Sequence, residues 1–159
     1  MENIGHEIES GIKEFILAGK ADFTIRNEAS GGRYTYRVRA PMKETEKGGL
    51  KTDHEAKVRF VKVLTGPENG SDYTFVGTIF IDNGGFRWSP KSRVGRDAKS
   101  VKAFEWLWAR LQNPEPMATV KVYHEGKCGR CGRKLTVPES ILSGFGPECR
   151  GHAGTPVAA

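Results

Sequence analysis

The stretch that decides the C-terminal fold is Cys128-Gly-Arg-Cys131-Gly-Arg-Lys-Leu, followed later by Gly144-Phe-Gly146-Pro-Glu-Cys149. It contains all three cysteines of the chain. Two thiolates in a Cys-x2-Cys pair can bind one ion from a tight turn, and the glycines allow backbone amides to approach the sulfurs. A gap of 17 residues separates Cys131 from Cys149, which is usual for a small two-part zinc module. The sequence therefore predicts a Zn²⁺ site with three cysteine ligands.

Two histidines are candidates for the fourth ligand of this site. His124 follows a short predicted strand at 118–123 and precedes Cys128 by four residues, which favours it. His152 is the alternative, because a helix beginning just before Cys149 would place Cys149 and His152 on one face. We expect His124, and leave His152 as the competing choice.

Other uses of the cysteines fit the sequence less well. A disulfide would leave one of the three cysteines unpaired, and a thioredoxin-type pair needs a helix directly after it, where this chain has Gly132-Arg-Lys134. Cysteine-rich zinc sites are mostly closed and structural, and we find no Asp, Glu and His constellation for metal-dependent catalysis. We therefore expect a non-enzymatic protein, with a metal-dependent nuclease as the alternative.

The charge balance favours an anionic partner. Lys and Arg total 25 against 19 Asp and Glu over 159 residues, giving a net charge of +6. No apolar run of about 18 residues is present, so no membrane span is expected. The acidic start of the chain does not suit a signal peptide, so we expect a cytoplasmic protein with reduced cysteines.

Hydrophobic periodicity predicts an α+β fold. Apolar residues at helical spacing predict helices over 4–18 and 99–112. Alternating or β-rich runs predict an antiparallel sheet of about five strands, at 21–27, 33–39, 57–65, 73–81 and 86–88. We therefore expect an α+β domain with two flanking helices over 1–116, a small zinc-binding module over 117–152, and a frayed tail over 153–159.

Basic side chains recur in three places. On the strand pair 21–27 and 33–39 they alternate with apolar residues, and others follow in a loop and beside the cysteines: Arg26, Arg33, Arg37, Arg39, Lys91, Arg93, Arg96, Arg130, Arg133 and Lys134. Adjacent arginines favour either acidic residues between them or bound phosphates. Trp106 falls opposite the apolar stripe of its helix, so it either covers the zinc module or stacks on a base.

The cysteine-containing segment resembles an uncharacterised zinc-binding domain, a domain of unknown function common in phage and bacterial proteins. Small phage proteins with this ending are also similar over Phe15-Ile-Leu-Ala-Gly-Lys-Ala-Asp-Phe-Thr, Leu64-Thr-Gly-Pro-Glu-Asn-Gly-Ser-Asp-Tyr-Thr and Ser100-Val-Lys-Ala-Phe. The resemblance implies a phage or prophage origin and a setting in the host bacterial cytoplasm. It assigns the metal role to Cys128, Cys131 and Cys149 alone.

Two functions follow as hypotheses. In the first, the protein is a zinc-stabilised, zinc-finger-like binder of DNA or RNA, in which the ten basic residues hold phosphates and zinc fixes the small module. In the second, it is a phage anti-defence or regulatory protein that binds and inhibits a host protein. Its basic face would then contact an acidic surface of that host protein. The sequence fixes neither the target nor the oligomeric state.

Overall fold

The structure, a computed structural model, describes residues 5–67, 71–113, 116–117, 119–136, 138–146 and 149. His152 and the predicted tail over 153–159 lie outside the described residues. In chain order the elements are β1 (His6–Glu7), α1 (Ile12–Ile16), β2 (Lys20–Asn27), β3 (Arg33–Arg39), β4 (Met42–Glu44), β5 (Leu50–Thr52), β6 (Val58–Leu64), β7 (Tyr73–Phe80), β8 (Gly85–Trp88), α2 (Lys99–Gln112), β9 (Val120–His124) and α3 (Pro138–Ser143).

The main sheet is antiparallel and has seven strands in the order β1-β9-β2-β3-β6-β7-β8. The α+β class and the five predicted strands are confirmed, as β2, β3, β6, β7 and β8. The predicted strand number was too small, because β9 pairs with β2 and β1 pairs with β9. The described residues also contain three helices rather than two. A separate two-stranded hairpin, β4-β5, lies between β3 and β6 in the chain.

The hairpin β2-β3 lies at the centre of the sheet and shows the predicted alternation. Its register pairs Phe23 with Tyr36 and Asp22 with Arg37. Side chains opposite each other in an antiparallel pair lie on the same face. One face therefore carries the buried aromatic pair, whose ring centroids are 5.6 Å apart, and the other carries the charged residues.

The N-terminal segment departs from the predicted helix over 4–18. Only Ile12–Ile16 is helical, while His6–Glu7 pairs with β9. Gly11 precedes α1 with a φ of 73°, a left-handed conformation that interrupts any longer helix. The backbone N–H of Ile8 donates to the carbonyl of Val122 at 2.8 Å. The apolar residues that suggested a helix are instead core residues: Ile8, Phe15 and Ile16 are each at most 2% exposed.

Helix α2 covers the apolar face of the sheet, as its periodicity predicts. Its residues Val101, Phe104, Leu107 and Trp108 are buried. The Phe104 ring lies 5.4 Å from the ring of Tyr36, whose hydroxyl donates to the carbonyl of Ser100 at 2.5 Å. Removal of an aromatic side chain from such a core costs about 3–5 kcal/mol. The core thus fixes the sheet and leaves its opposite face open for charged side chains.

Candidate metal centre and basic face

The first part of the site is a tight turn that we call the cysteine hairpin, residues 126–135. Hydrogen bonds close it from Leu135 N to Gly126 O at 2.7 Å and from Cys128 N to Arg133 O at 2.8 Å. At its tip, the N–H of Gly132 donates to the carbonyl of Cys128 at 2.9 Å, and Gly132 has a φ of 80°. A residue with a side chain adopts that conformation only with strain, so the glycine after Cys131 is required by the turn.

The second part of the site brings Cys149 back to this turn. Helix α3 begins at Pro138 and ends before Gly144, whose φ is 77°. The N–H of Gly129 donates to the carbonyl of Gly144 at 2.9 Å, which joins the two parts. The N–H of Cys149 donates to the carbonyl of Gly146 at 3.1 Å. These bonds place a cysteine distant in sequence next to the Cys-x2-Cys pair.

Together the three cysteines form a cluster, Cys128, Cys131 and Cys149, whose Sγ atoms all lie within 4.8 Å of one another. None is in a disulfide. Sulfurs bound to one zinc at about 2.3 Å lie about 3.8 Å apart in a tetrahedron, so the cluster needs only a small adjustment to bind an ion. Cys128 and Cys149 are buried and Cys131 is partly exposed, so an ion here would be largely shielded from water. The prediction that the three cysteines come together in a group that could hold a metal ion is confirmed.

The environment of the thiols is uneven. Burial on its own would raise the pKa of Cys128, but the backbone N–H groups of Gly146, Cys131 and Arg130 donate to its sulfur and bring the pKa below its ordinary value. The N–H of Arg130 lies 3.4 Å from that sulfur. Burial and the neighbouring thiols raise the pKa of Cys149 to about 11. The cluster is therefore built to stabilise a first thiolate, and a cation would be needed to stabilise all three.

The cysteine hairpin is attached to the rest of the fold through Phe15 of α1. This ring is fully buried, and its centroid lies 5.8 Å from both the Phe145 and the His124 rings. A Cβ atom at Gly129 or Gly144 would lie 2.6 or 2.7 Å from the Phe15 ring, closer than any side chain tolerates. Both glycines are therefore packing positions, which their place in the cysteine motif did not suggest.

His124, the expected fourth ligand, is buried at the end of β9 and makes two hydrogen bonds. Its Nδ1 accepts from the N–H of Gly126 at 2.9 Å, and its Nε2 donates to the carbonyl of Ile141 at 2.5 Å. Burial lowers its pKa, which keeps the ring neutral. The group of close ligand atoms contains the three cysteines without His124. The ring thus connects the cysteine hairpin to α3, and the competing ligand, His152, lies outside the described residues.

The open face of the central hairpin carries the predicted arginine row, which we call the basic face: Arg26, Arg33, Arg37 and Arg39. Asp22, only 5% exposed, lies between two of them. Its Oδ1 is 3.1 Å from Arg37 Nε and 2.9 Å from Arg39 Nη2. Glu28 lies 3.8 Å from Arg26. Acidic partners therefore hold Arg26, Arg37 and Arg39 in place, and the sequence could have identified Asp22 from the register that pairs it with Arg37.

An aromatic ring supports this face. The guanidinium carbon of Arg37 lies 4.2 Å from the centroid of the Tyr73 ring, which comes from β7. Burial, together with the nearby Glu125 and Asp22 carboxylates, raises the pKa of Tyr73 to about 12. Tyr73 also lines a pocket of about 250 Å³ with Phe75, Lys91 and Arg93. The structure thus brings part of the predicted basic loop next to the aromatic side of the basic face.

The remaining predicted basic residues are placed apart from these. Arg96 is exposed in the loop before α2. Arg133 and Lys134 are exposed on the cysteine hairpin, and Arg130 is partly buried there. Trp106 does not cover the cysteine cluster, because it lines a pocket with Tyr34 and Asn27 at the turn end of the β2-β3 hairpin. The ten basic residues therefore do not form one continuous row.

The cysteine hairpin and the strand before it match a described family. Residues 118–154 match the model of a family of unknown function, DUF6011. The match begins two residues before β9, includes that strand of the main sheet, and covers all three cysteines. No curated protein and no solved structure shows a significant similarity to the chain. Among the described residues, no helix has the length and apolar character needed to cross a membrane.

Proposed function

We propose that this protein is a zinc-stabilised nucleic-acid-binding protein of phage type, which acts without catalysis in the cytoplasm of a bacterial host. The observation that carries the proposal is the arrangement of Arg37 and Arg39 on an open sheet face, fixed by Asp22 and supported by Tyr73. Arginines held in this way lose little conformational entropy when they contact phosphates. The net charge of +6 also favours binding to a negatively charged nucleic acid.

The metal in this proposal is Zn²⁺, and its role is structural. Three thiolates select a soft or borderline ion, and a largely buried cluster is typical of closed sites. The ion would fix the positions of Arg130, Arg133 and Lys134 relative to the sheet. The two hydrogen bonds of His124 favour His152 as the fourth ligand. Substitution His152→Ala is then expected to weaken metal retention more than substitution of the exposed His6.

The test of nucleic-acid binding is a fluorescence titration with labelled single- and double-stranded oligonucleotides over a range of salt concentrations. Each phosphate contact contributes about −0.7 to −0.9 to the slope of log K against log salt. The double variant Arg37→Ala/Arg39→Ala should therefore bind more weakly and show a slope smaller by about 2. Lys47→Ala/Lys57→Ala is the matched control, since it removes two exposed positive charges from outside the basic face. Equal losses in the two variants, or binding that salt does not change, would overturn the proposal.

A second candidate function is favoured by a different observation. The β4-β5 hairpin stands apart from the main sheet and exposes two large apolar side chains, Met42 at 54% and Leu50 at 67%. Exposed apolar residues on a surface hairpin suit contact with another protein. In this second hypothesis the chain is an anti-defence or regulatory protein that binds and inhibits a host protein. Capture of a partner from nuclease-treated host lysate, lost in Met42→Ser/Leu50→Ser, would support it over nucleic-acid binding.

A further inference from the structure

A second pocket lies at the turn end of the β2-β3 hairpin, between the sheet and α2. It has a volume of about 210 Å³ and is lined by Tyr34, Ala103, Trp106 and Val120, which are all partly exposed, above the buried Ile25. Drug-sized ligands occupy about 300–1,000 Å³, so this pocket suits a smaller group. Two aromatic side chains with apolar neighbours line this pocket, which favours a flat ring as its occupant.

Trp106 is held in position by a cation. The guanidinium carbon of Arg110 lies 3.7 Å from the centroid of the Trp106 ring. Arg110 itself does not line the pocket. Trp106 is also outside the buried stripe of α2, formed by Val101, Phe104, Leu107 and Trp108. A large aromatic residue fixed beside a cavity, rather than in the core, is a surface on which another ring can stack.

The rim of the pocket supplies a polar group. The Oδ1 atom of Asn27 accepts hydrogen bonds from the N–H of Ala29 at 2.9 Å and from the Thr119 hydroxyl at 2.9 Å. These bonds fix the orientation of the side-chain amide, because its oxygen is the acceptor in both. Within the described part of the chain, no hydrogen bond uses the Nδ2 group of Asn27. Every nucleobase has a ring nitrogen or carbonyl acceptor that such a donor can meet.

We propose that this pocket binds one unstacked base of a single-stranded nucleic acid, between Tyr34 and Trp106. This inference rests on the proposed function and adds a preference for single strands, since the bases of a duplex cannot enter. The charge around the pocket agrees with this occupant. The guanidinium group of Arg110 lies 3.7 Å from the centroid of the Trp106 ring. A strand whose base enters the pocket would have its phosphates near this cation.

The experiment compares an oligothymidylate with an abasic oligonucleotide of the same length, which keeps the phosphates and lacks the bases. The wild-type protein is expected to bind the abasic strand about tenfold more weakly. Trp106→Leu should bind both strands alike, at the level of the wild-type protein on the abasic strand, and Trp106→Phe should restore part of the difference. Phe80→Leu is the matched control, because Phe80 is a partly exposed aromatic residue that does not line the pocket. Circular dichroism of each variant shows whether it is folded.

Each outcome separates this inference from the proposed function. If the wild-type protein binds neither strand, both fail. If it binds the two strands equally with normal salt dependence, the proposed function stands and the pocket is not a base site. If Trp106→Leu keeps the tenfold difference, the base binds elsewhere and the inference is overturned. Should Trp106→Leu not fold, Trp106→Phe and Tyr34→Leu provide the same comparison.

Discussion

The cysteine cluster and the basic face both hold like groups close together, and they do so by different means. On the basic face, the carboxylate of Asp22 lies within 3.1 Å of two guanidinium groups, so the chain supplies the opposite charge itself. In the cysteine cluster, Cys128 receives backbone N–H groups, while the neighbouring thiols raise the pKa of Cys149. The first region thus carries its own counter-charge, whereas the second would need a bound cation to hold three thiolates together.

The largest expected effect comes from removal of a thiol from the cluster. Cys128→Ser should abolish metal retention and lower the free energy of unfolding by about 3 kcal/mol or more, equivalent to a fall in Tm of about 10 °C. Thermal unfolding with and without chelator checks this, since the variant should no longer respond to chelator. Leu142→Ser, on the exposed side of α3, is the control and should behave as wild type. Full metal binding by Cys128→Ser would remove the distinction between the two regions.

Substitution of the buried carboxylate on the basic face should lower the stability of the protein, and chelator should not change the size of that effect. Asp22→Asn leaves Arg37 and Arg39 without their shared counter-charge, and we expect a loss of about 2–3 kcal/mol in urea unfolding. Asp82→Asn removes a carboxylate from an exposed ion pair with Lys57 and should change stability by less than about 0.5 kcal/mol. Similar effects from the two variants would mean that Asp22 does not organise the face.

The contact between the cysteine hairpin and α1 should be sensitive to one added carbon atom. In Gly129→Ala the new Cβ would lie 2.6 Å from the Phe15 ring, and we expect a destabilisation of about 1–3 kcal/mol. Gly146→Ala is a matched control in the same module, because nothing lies within 4 Å of its added Cβ. Equal unfolding midpoints for the two variants would show that the hairpin is not packed against Phe15 as described.

The smallest expected effect is a pH dependence where the loop after β5 approaches the cysteine hairpin. Burial, with Arg130 as a further cause, lowers the pKa of His54. A base whose pKa is lowered in the folded state takes up a proton less readily there than in the unfolded state. Its contribution to stability is therefore fully present above its ordinary pKa and is lost as the pH falls below that value. Between about pH 7 and pH 5.5, wild type should therefore lose more stability than His54→Gln. Parallel profiles for the two proteins would contradict this.

The sequence predicted the regions whose pattern is local. The β2-β3 hairpin follows from alternation between Lys20 and Arg39, and the cysteine cluster follows from the spacing of its three thiols. The sequence did not predict the pairing of strands that are distant in the chain. Strand β9 pairs with β2, which lies almost 100 residues earlier. On its other side β9 pairs with His6–Glu7, which is therefore a strand rather than part of a helix.

The same reason explains what the sequence could not determine about His124. Its position at the end of a strand before Cys128 favoured metal binding, but its hydrogen bonds depend on the carbonyl of Ile141 and the N–H of Gly126. The carbonyl becomes available only when α3 is placed against β9. Asp22 is a different case, because its pairing with Arg37 follows from the register of the local β2-β3 hairpin, although not from composition or charge counts.

The most direct test of the central claim is native mass spectrometry of the purified full-length protein, with the metal identified by elemental analysis. We expect one zinc ion per chain, lost on acidification and absent from the Cys149→Ser variant. A wild-type protein that carries no metal after growth in zinc-containing medium, or a Cys149→Ser variant that keeps its zinc, would contradict it.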